Sequence, residues 1–386
     1  MSKKRLLIFI DWFYPGFKGG GPMASCLNLI NEVHQDFEIF IFTRVNDYLE
    51  TKNYEDILTN QWQNFQNISK IYYCNNKDLS IIKIYKIINE VKPNIVYING
   101  MFSTYFTIVP IFLNHFIRKI HINCKLILVP RGMLMDGKLQ FKKTKKLIFL
   151  NLFRVLGLQR KLYLQVTSEA EKEASIFRLK LLNIQSFLIP NVPHKHLLSK
   201  QVSTKKKKEL RLFFASRVAR EKNILFILNL LKKVNLPISL DIFGAIDHLE
   251  YWELCKETIE KLPQCISVNY KGVYKPDDIH NIFKSYHAFI LPTFGENFGH
   301  VIIEALAIGK PVITTPTTPW GEIENNNAGW TIDLENEGKY SEVLRELYEM
   351  DNAEYQIKAN AAFDYAKAYM QKINYRKLYK DFFLSI

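Results

Sequence analysis

Short apolar runs alternate along this chain with stretches of helical spacing. In the first half the runs are Arg5 to Ile10, Phe37 to Thr43, Ile68 to Cys74, Ile95 to Asn99, Lys125 to Val129 and Leu162 to Thr167. Between them, Ser25 to Val33, Ile81 to Val91 and Thr104 to Ile117 place apolar residues at helical intervals. Such alternation predicts a parallel sheet covered by helices on both faces. The sequence Leu188-Ile189-Pro190-Asn191-Val192-Pro193 reads as a proline-bracketed hinge, followed by a charged stretch, Lys205 to Glu209. The alternation then restarts, with strands expected at Leu210 to Ala215, Ile238 to Phe243, Ile266 to Tyr270, Ala288 to Leu291 and Pro311 to Thr314. Helical sequence closes the chain at Ser341 to Glu349, Ala353 to Tyr369 and Asn374 to Phe383. The pattern predicts an α/β protein of two Rossmann-like domains facing across a ligand-binding cleft. Residues 1–190 are expected to form the first domain, 191–370 the second, and 371–386 a terminal helix.

Composition narrows the class. With 386 residues, 48% of them apolar, each domain is large enough to bury its own core. The apolar stretch after Lys3-Lys4-Arg5 is interrupted at Asp11, too soon for a secretory signal, and no uninterrupted run approaches a membrane span. Five scattered cysteines without a Cys-x-x-Cys pair point to a reducing cytoplasm and offer no zinc site. The net charge of +14 is uneven: residues 1–193 hold 26 Lys and Arg against 14 Asp and Glu, whereas residues 194–386 hold 26 against 24. A basic first half suits an anionic membrane surface, a lipid pyrophosphate or a nucleic acid. No nucleic-acid reading motif accompanies the charge, so a nucleic-acid-binding protein stands only as an alternative of a different class.

The most informative segment is Phe294-Gly295-Glu296-Asn297-Phe298-Gly299-His300, running into Val301-Ile302-Ile303-Glu304-Ala305-Leu306-Ala307. It reads as a strand end, a loop and a helix of roughly His300 to Ile308, stopped by Gly309 and Pro311. Two carboxylates result, Glu296 in the loop and Glu304 on an almost wholly apolar helix. An isolated glutamate pair is ordinarily a solvated one. A glutamate on a helix that the fold buries needs a partner, and a carboxylate accepts two hydroxyl hydrogens at once, as a sugar or ribose diol supplies them.

This segment resembles the glutamate–seven residues–glutamate signature of the retaining GT-B glycosyltransferases, most of all their large family 4. Thr318-Pro319-Trp320 and Ala328-Gly329-Trp330 resemble a branch that assembles bacterial polysaccharides, O-antigen or capsule. The resemblance implies two Rossmann-like domains with the C-terminal helix crossing back to the first. It implies that Glu304 holds the donor ribose and Glu296 the transferred sugar, with Asn297, Phe298, Gly299 and His300 lining the donor site. Arg217 and Lys222, five apart after the strand ending at Ala215, resemble the family's cation pair for the departing diphosphate. No Asp-x-Asp motif is present, and fixed cations are expected in place of a metal. The donor is then a UDP- or GDP-sugar, with no cofactor.

Gly19, Gly20 and Gly21 follow the first strand and resemble the family's phosphate- and acceptor-facing loop. Asn99 and Arg131 end later strands of the first domain and are expected to face the cleft. Arg131 stands where many relatives carry histidine, and a guanidinium cannot serve as a base, so it is expected to bind donor sugar or an acceptor phosphate. Phe243-Gly244 and the Gly272-Val273 strand end match positions that read phosphate and base. Lys138 through Lys146, followed by Leu147-Ile148-Phe149-Leu150, is either a solvated helix or a membrane-surface element. The chain is thus expected to be a cytoplasmic hexosyltransferase, peripheral on the inner face of the plasma membrane, acting on a glycan or lipid-linked saccharide. A GT-B sugar epimerase or a phosphorylase is the enzymatic alternative.

Overall fold

The computed structural model describes residues 3–116, 124–135, 143–160, 162–180, 185–194, 198–200, 203–275 and 278–386. These divide into two compact units, Met1–Val192 with Asn374–Ile386, and Pro193–Ile373.

Unit 1 is built on an eight-stranded sheet: β1 (Lys4–Phe9), β2 (Phe37–Arg44), β3 (Trp62–Phe65), β4 (Ser69–Cys74), β5 (Ile95–Asn99), β6 (Lys125–Val129), β7 (Leu162–Val166) and β8 (Gln185–Leu188). Their order across the sheet is β3-β4-β2-β1-β5-β6-β7-β8. All pair in parallel except β3, which runs antiparallel to β4. Central strands such as β1 and β5 are apolar on both faces because helices cover both. The helices described here are α1 (Gly21–Val33), α2 (Ile81–Val91), α3 (Val109–Phe116), α4 (Lys143–Val155) and α5 (Glu169–Leu179). The reasons for them are local. In α2, Ser80 caps the start by accepting from Lys83 N at 3.1 Å, and Ile84, Ile87, Ile88 and Val91 form the single buried face.

Unit 2 carries β9 (Leu210–Ala215), β10 (Ile238–Phe243), β11 (Ile266–Gly272), β12 (Ala288–Leu291), β13 (Val312–Thr314) and β14 (Gly329–Thr331), ordered β11-β10-β9-β12-β13-β14 and all parallel. Helices α6 (Ile224–Lys233), α7 (Leu249–Ile259), α8 (Ile279–Phe283), α9 (His300–Ala307), α10 (Glu337–Glu349) and α11 (Asn352–Lys372) pack around it. The last helix, α12 (Tyr375–Ser385), returns to unit 1. There Arg376 and Lys380 pair with Asp36 at 2.7 Å each, and Phe383 stacks edge-on against Phe37. That is the return expected of the terminal segment.

Three strands lay hidden in the sequence. β3, β8 and β14 are three or four residues long and sit at sheet edges, too short to show an apolar period. The helix expected over residues 104–117 opens instead with a π turn, Thr104–Ile108.

Each sheet reverses its building direction once. In unit 1 the chain grows outward from β1 through β2 and β4, then crosses to β5; in unit 2 it grows from β9 to β11, then crosses to β12. Open parallel sheets bind ligands outside the C-terminal strand ends at such reversals.

Candidate functional site

At the unit 2 reversal, β9 delivers Arg217 and Lys222 and β12 delivers Glu296. Lys222 Nζ and the Glu296 carboxylate form an ion pair, both side chains nearly buried. The loop carrying Glu296 is stapled to the segment carrying the cations. Phe294 N donates to Glu221 O at 3.0 Å, Thr293 Oγ1 to the same carbonyl at 2.9 Å, and Glu296 N to Thr317 O at 3.3 Å. The Trp320 indole N–H donates to Phe298 O, and its ring lies 5.3 Å from that of Phe298. The Thr-Pro-Trp sequence therefore anchors the glutamate loop from behind. Arg217 pairs with Asp247 and with Glu221 at 3.3 Å. These two carboxylates orient its guanidinium. No motif in the sequence pointed to them, because they come from a separate loop and from the turn after β9.

Glu304 lies on the second turn of α9 and is 9% exposed. Among the described residues its carboxylate has no hydrogen-bond or ion-pair partner, and burial pushes its pKa up to about 7. Nearby, burial and secondly the Glu304 charge push the Tyr274 hydroxyl well up. Helix α9 starts at Gly299, whose φ of 75° is open mainly to glycine, and no side chain caps it. His300, its first residue, is buried against the Phe298 ring at 4.7 Å.

Phe243-Gly244 and Gly272-Val273 come together at adjacent strand ends, where Gly244 N donates to Gly272 O at 2.8 Å. Gly244 is obligatory: its φ is 137°, and a Cβ there would stand 1.9 Å from the Ser216 carbonyl oxygen. Val273 is exposed and directly precedes Tyr274.

Unit 1 groups the remaining expected residues. Gly19, Gly20 and Gly21 lead into α1, whose start no side chain caps, and Asp47 holds the preceding loop by accepting from Phe17 N and Lys18 N at 2.8 and 3.2 Å. Asn99 donates to Pro22 O at 3.1 Å and accepts from Arg131 Nε at 2.7 Å. The Arg131 guanidinium also donates to Asn191 and, at 3.1 Å, to Tyr97. Arg131 was expected to face donor sugar or acceptor phosphate. It is instead buried inside unit 1, where it ties Tyr97 and Asn99 of β5 to Asn191 after β8. Lys138 and Lys142 of the basic stretch lie outside the described residues. Among the described residues no group of three His, Cys, Asp or Glu side chains is arranged to hold a metal.

Residues 197–363 match the family model described as glycosyl transferases group 1. No curated protein matches the chain. Among solved structures, it is similar over 100% of both chains to Anabaena HepE in complex with UDP and glucose, at 16% identity and a TM-score of 0.72. Sucrose-phosphate synthase from Thermosynechococcus elongatus follows over 100% of both chains, at 14% identity and a TM-score of 0.69. A glycosyltransferase from Rickettsia africae matches over 99% of this chain and 98% of its own, at 14% identity and a TM-score of 0.67. These likenesses establish the fold as GT-B.

Proposed function

We propose that the protein is a retaining glycosyltransferase that moves a hexose from a UDP- or GDP-sugar to a glycan or lipid-linked saccharide during assembly of a bacterial surface polysaccharide such as lipopolysaccharide or capsule. The observation that carries the reading is Glu304, a largely buried carboxylate with no protein partner among the described residues, on the helix that follows the loop of the Lys222–Glu296 pair. A ribose diol supplies the two hydroxyl donors that Glu304 lacks. The family match over unit 2 and the UDP and glucose in the HepE complex support a nucleotide-sugar donor there.

In the reaction the bond from the anomeric carbon to the β-phosphate oxygen breaks. A bond to the acceptor oxygen forms on the same face, and the acceptor proton passes to the departing phosphate. Lys222 and Arg217 offset the charge that grows on that phosphate, so no metal is required. Glu296, fixed by Lys222, accepts from hydroxyls of the transferred sugar. Unit 1 receives the acceptor.

A place at the inner membrane face is supported by α4. Ile148 (64% exposed), Leu152 (57%) and Val155 (83%) recur on one side of that helix. Lys145 and Lys146 precede the stripe, within the basic half of the chain. An apolar stripe bordered by lysines suits an anionic bilayer surface.

The deciding experiment is thermal unfolding with UDP, GDP and their hexose conjugates. Ligands that bind the native state raise the apparent stability, so at least one nucleotide is expected to raise the transition in wild type and much less in Glu304→Gln. No rise with either nucleotide would sink the reading.

A further inference from the structure

Unit 1 has a sheet reversal of its own, between β1 and β5, and the polar residues there belong to none of the motifs read from the sequence. Four neighbouring strand ends each present one side chain: Asn76 after β4, Arg44 at the end of β2, Asp11 after β1 and Ser103 after β5. They form a row. Arg44 NH1 donates to Asn76 Oδ1 at 2.9 Å, Arg44 NH2 pairs with Asp11 Oδ1 at 3.4 Å, and the Ser103 hydroxyl donates to Asp11 Oδ1 at 2.8 Å. Ser103 also accepts from Phe106 N at 3.3 Å and so opens the π turn, a helical irregularity that recurs at functional sites.

Both partners of Asp11 sit on one carboxylate oxygen. Oδ2 has none among the described residues, and the side chain keeps an opening to solvent. Its environment raises the carboxyl pKa, burial outweighing Ser103 and Arg44. Half-buried Trp12 and exposed Tyr14 follow it directly, with Trp12 edge-on to Tyr48 at 4.9 Å. With Asp11 and Arg44 offsetting one another, the row carries no net charge, and its open carboxylate oxygen accepts hydroxyl hydrogens, which suits a neutral polyhydroxylated ring.

We propose that this row is the subsite for the acceptor sugar, a neutral hexose whose hydroxyls are bound by Asp11 and whose ring is flanked by Trp12. The assignment rests on the transferase reading above and gives its acceptor a chemical class and a residue.

Methyl α- and β-hexosides of glucose, galactose and mannose serve as probes, with binding read by saturation-transfer NMR on the full chain. UDP and GDP thermal shifts are measured in parallel. Wild type is expected to bind at least one hexoside. Asp11→Asn should weaken that binding about tenfold or more, the scale of one charge-assisted hydrogen bond, with the nucleotide shift unchanged. Ser103→Ala, which releases the carboxylate from its donor, should act in the same direction and decides the matter if Asp11→Asn does not fold. Asp11 acting only as a strut would lower nucleotide and hexoside binding together, and that result overturns the assignment. So do equal hexoside binding in both variants and wild type, or none in wild type. Hexoside binding that depends on Asp11 without any nucleotide shift would retire the transferase reading and keep the hexose site.

Discussion

Glu304→Gln pulls stability and binding in opposite directions, and both can be worked from the structure. Burial raises the Glu304 pKa from 4.5 to about 7. Below pH 4.5 the carboxyl is protonated in folded and unfolded chains alike and costs nothing. Between 4.5 and about 7 the unfolded chain has released the proton and the folded one retains it. Stability from this group therefore falls as pH rises through that window, reaching about 3 kcal/mol by pH 8. Glutamine stays neutral throughout. The variant should equal wild type near pH 4.5 and exceed it by up to about 3 kcal/mol at pH 8, without ligand.

Nucleoside diphosphate narrows that lead, because it stabilises wild type more than the variant. The ribose loses a charged acceptor, a loss of about ten- to hundredfold in affinity. Urea denaturation at pH 4.5 and pH 8, with and without UDP or GDP, measures both arms. Trp252, Trp320 and Trp330, three of the five tryptophans, report on unit 2. A variant no more stable than wild type at pH 8 would refute the claim that an unpaired charge is held here. Unchanged nucleotide affinity would refute the ribose contact.

Lys222→Ala should lower transfer about a hundredfold, while EDTA leaves the wild-type rate unchanged. A loss of rate on chelation that manganese restores would contradict the role given to the cations. Gly244→Ala should destabilise unit 2 by about 2 kcal/mol or more, since neither its backbone angle nor the Ser216 carbonyl leaves room for a Cβ; an unchanged urea midpoint would disprove this. Replacing Ile148, Leu152 and Val155 together by serine should abolish sedimentation with anionic vesicles and leave nucleotide shifts intact. Equal sedimentation of variant and wild type, or none by wild type, would make α4 an ordinary solvated helix.

The sequence was most legible where an element is buried on both faces. β1, β5, β9 and β12 are continuous apolar runs because helices cover both sides, and the glutamate helix was readable from its apolar length and its glycine boundaries. Edge strands β3, β8 and β14 gave no such signal. At the site, the chemistry of Lys222 and Glu296 was visible, but their pairing was not, since they lie 74 positions apart and meet only through sheet order. Asp247, which fixes Arg217, and Ser103, which fixes Asp11, were silent for the same reason. A side chain that positions another carries no signature beyond being polar and suitably placed.

Arg131 shows why partners, more than residue type or burial, separate framework from site. It is buried, cationic and at a strand end, as a ligand group would be, yet Asn99, Asn191 and Tyr97 engage its nitrogens. Lys310 repeats the case in unit 2. Burial lowers its pKa to about 7, and its ammonium donates to Lys284 O at 3.0 Å, Tyr286 O at 2.8 Å and the Ser203 hydroxyl. Such groups are satisfied within the fold and hold loops in place. Glu304 has no such partner among the described residues, although desolvating it costs as much; Asp11 is paired at Oδ1 and leaves Oδ2 open. A fold stable by only a few kcal/mol keeps an unsatisfied buried carboxylate at a measurable cost, and the hydroxyls of a bound ligand are what would offset it. Each carboxylate follows a strand that borders its sheet's reversal, Asp11 directly after β1 and Glu304 on the helix after β12, where open parallel sheets bind ligands.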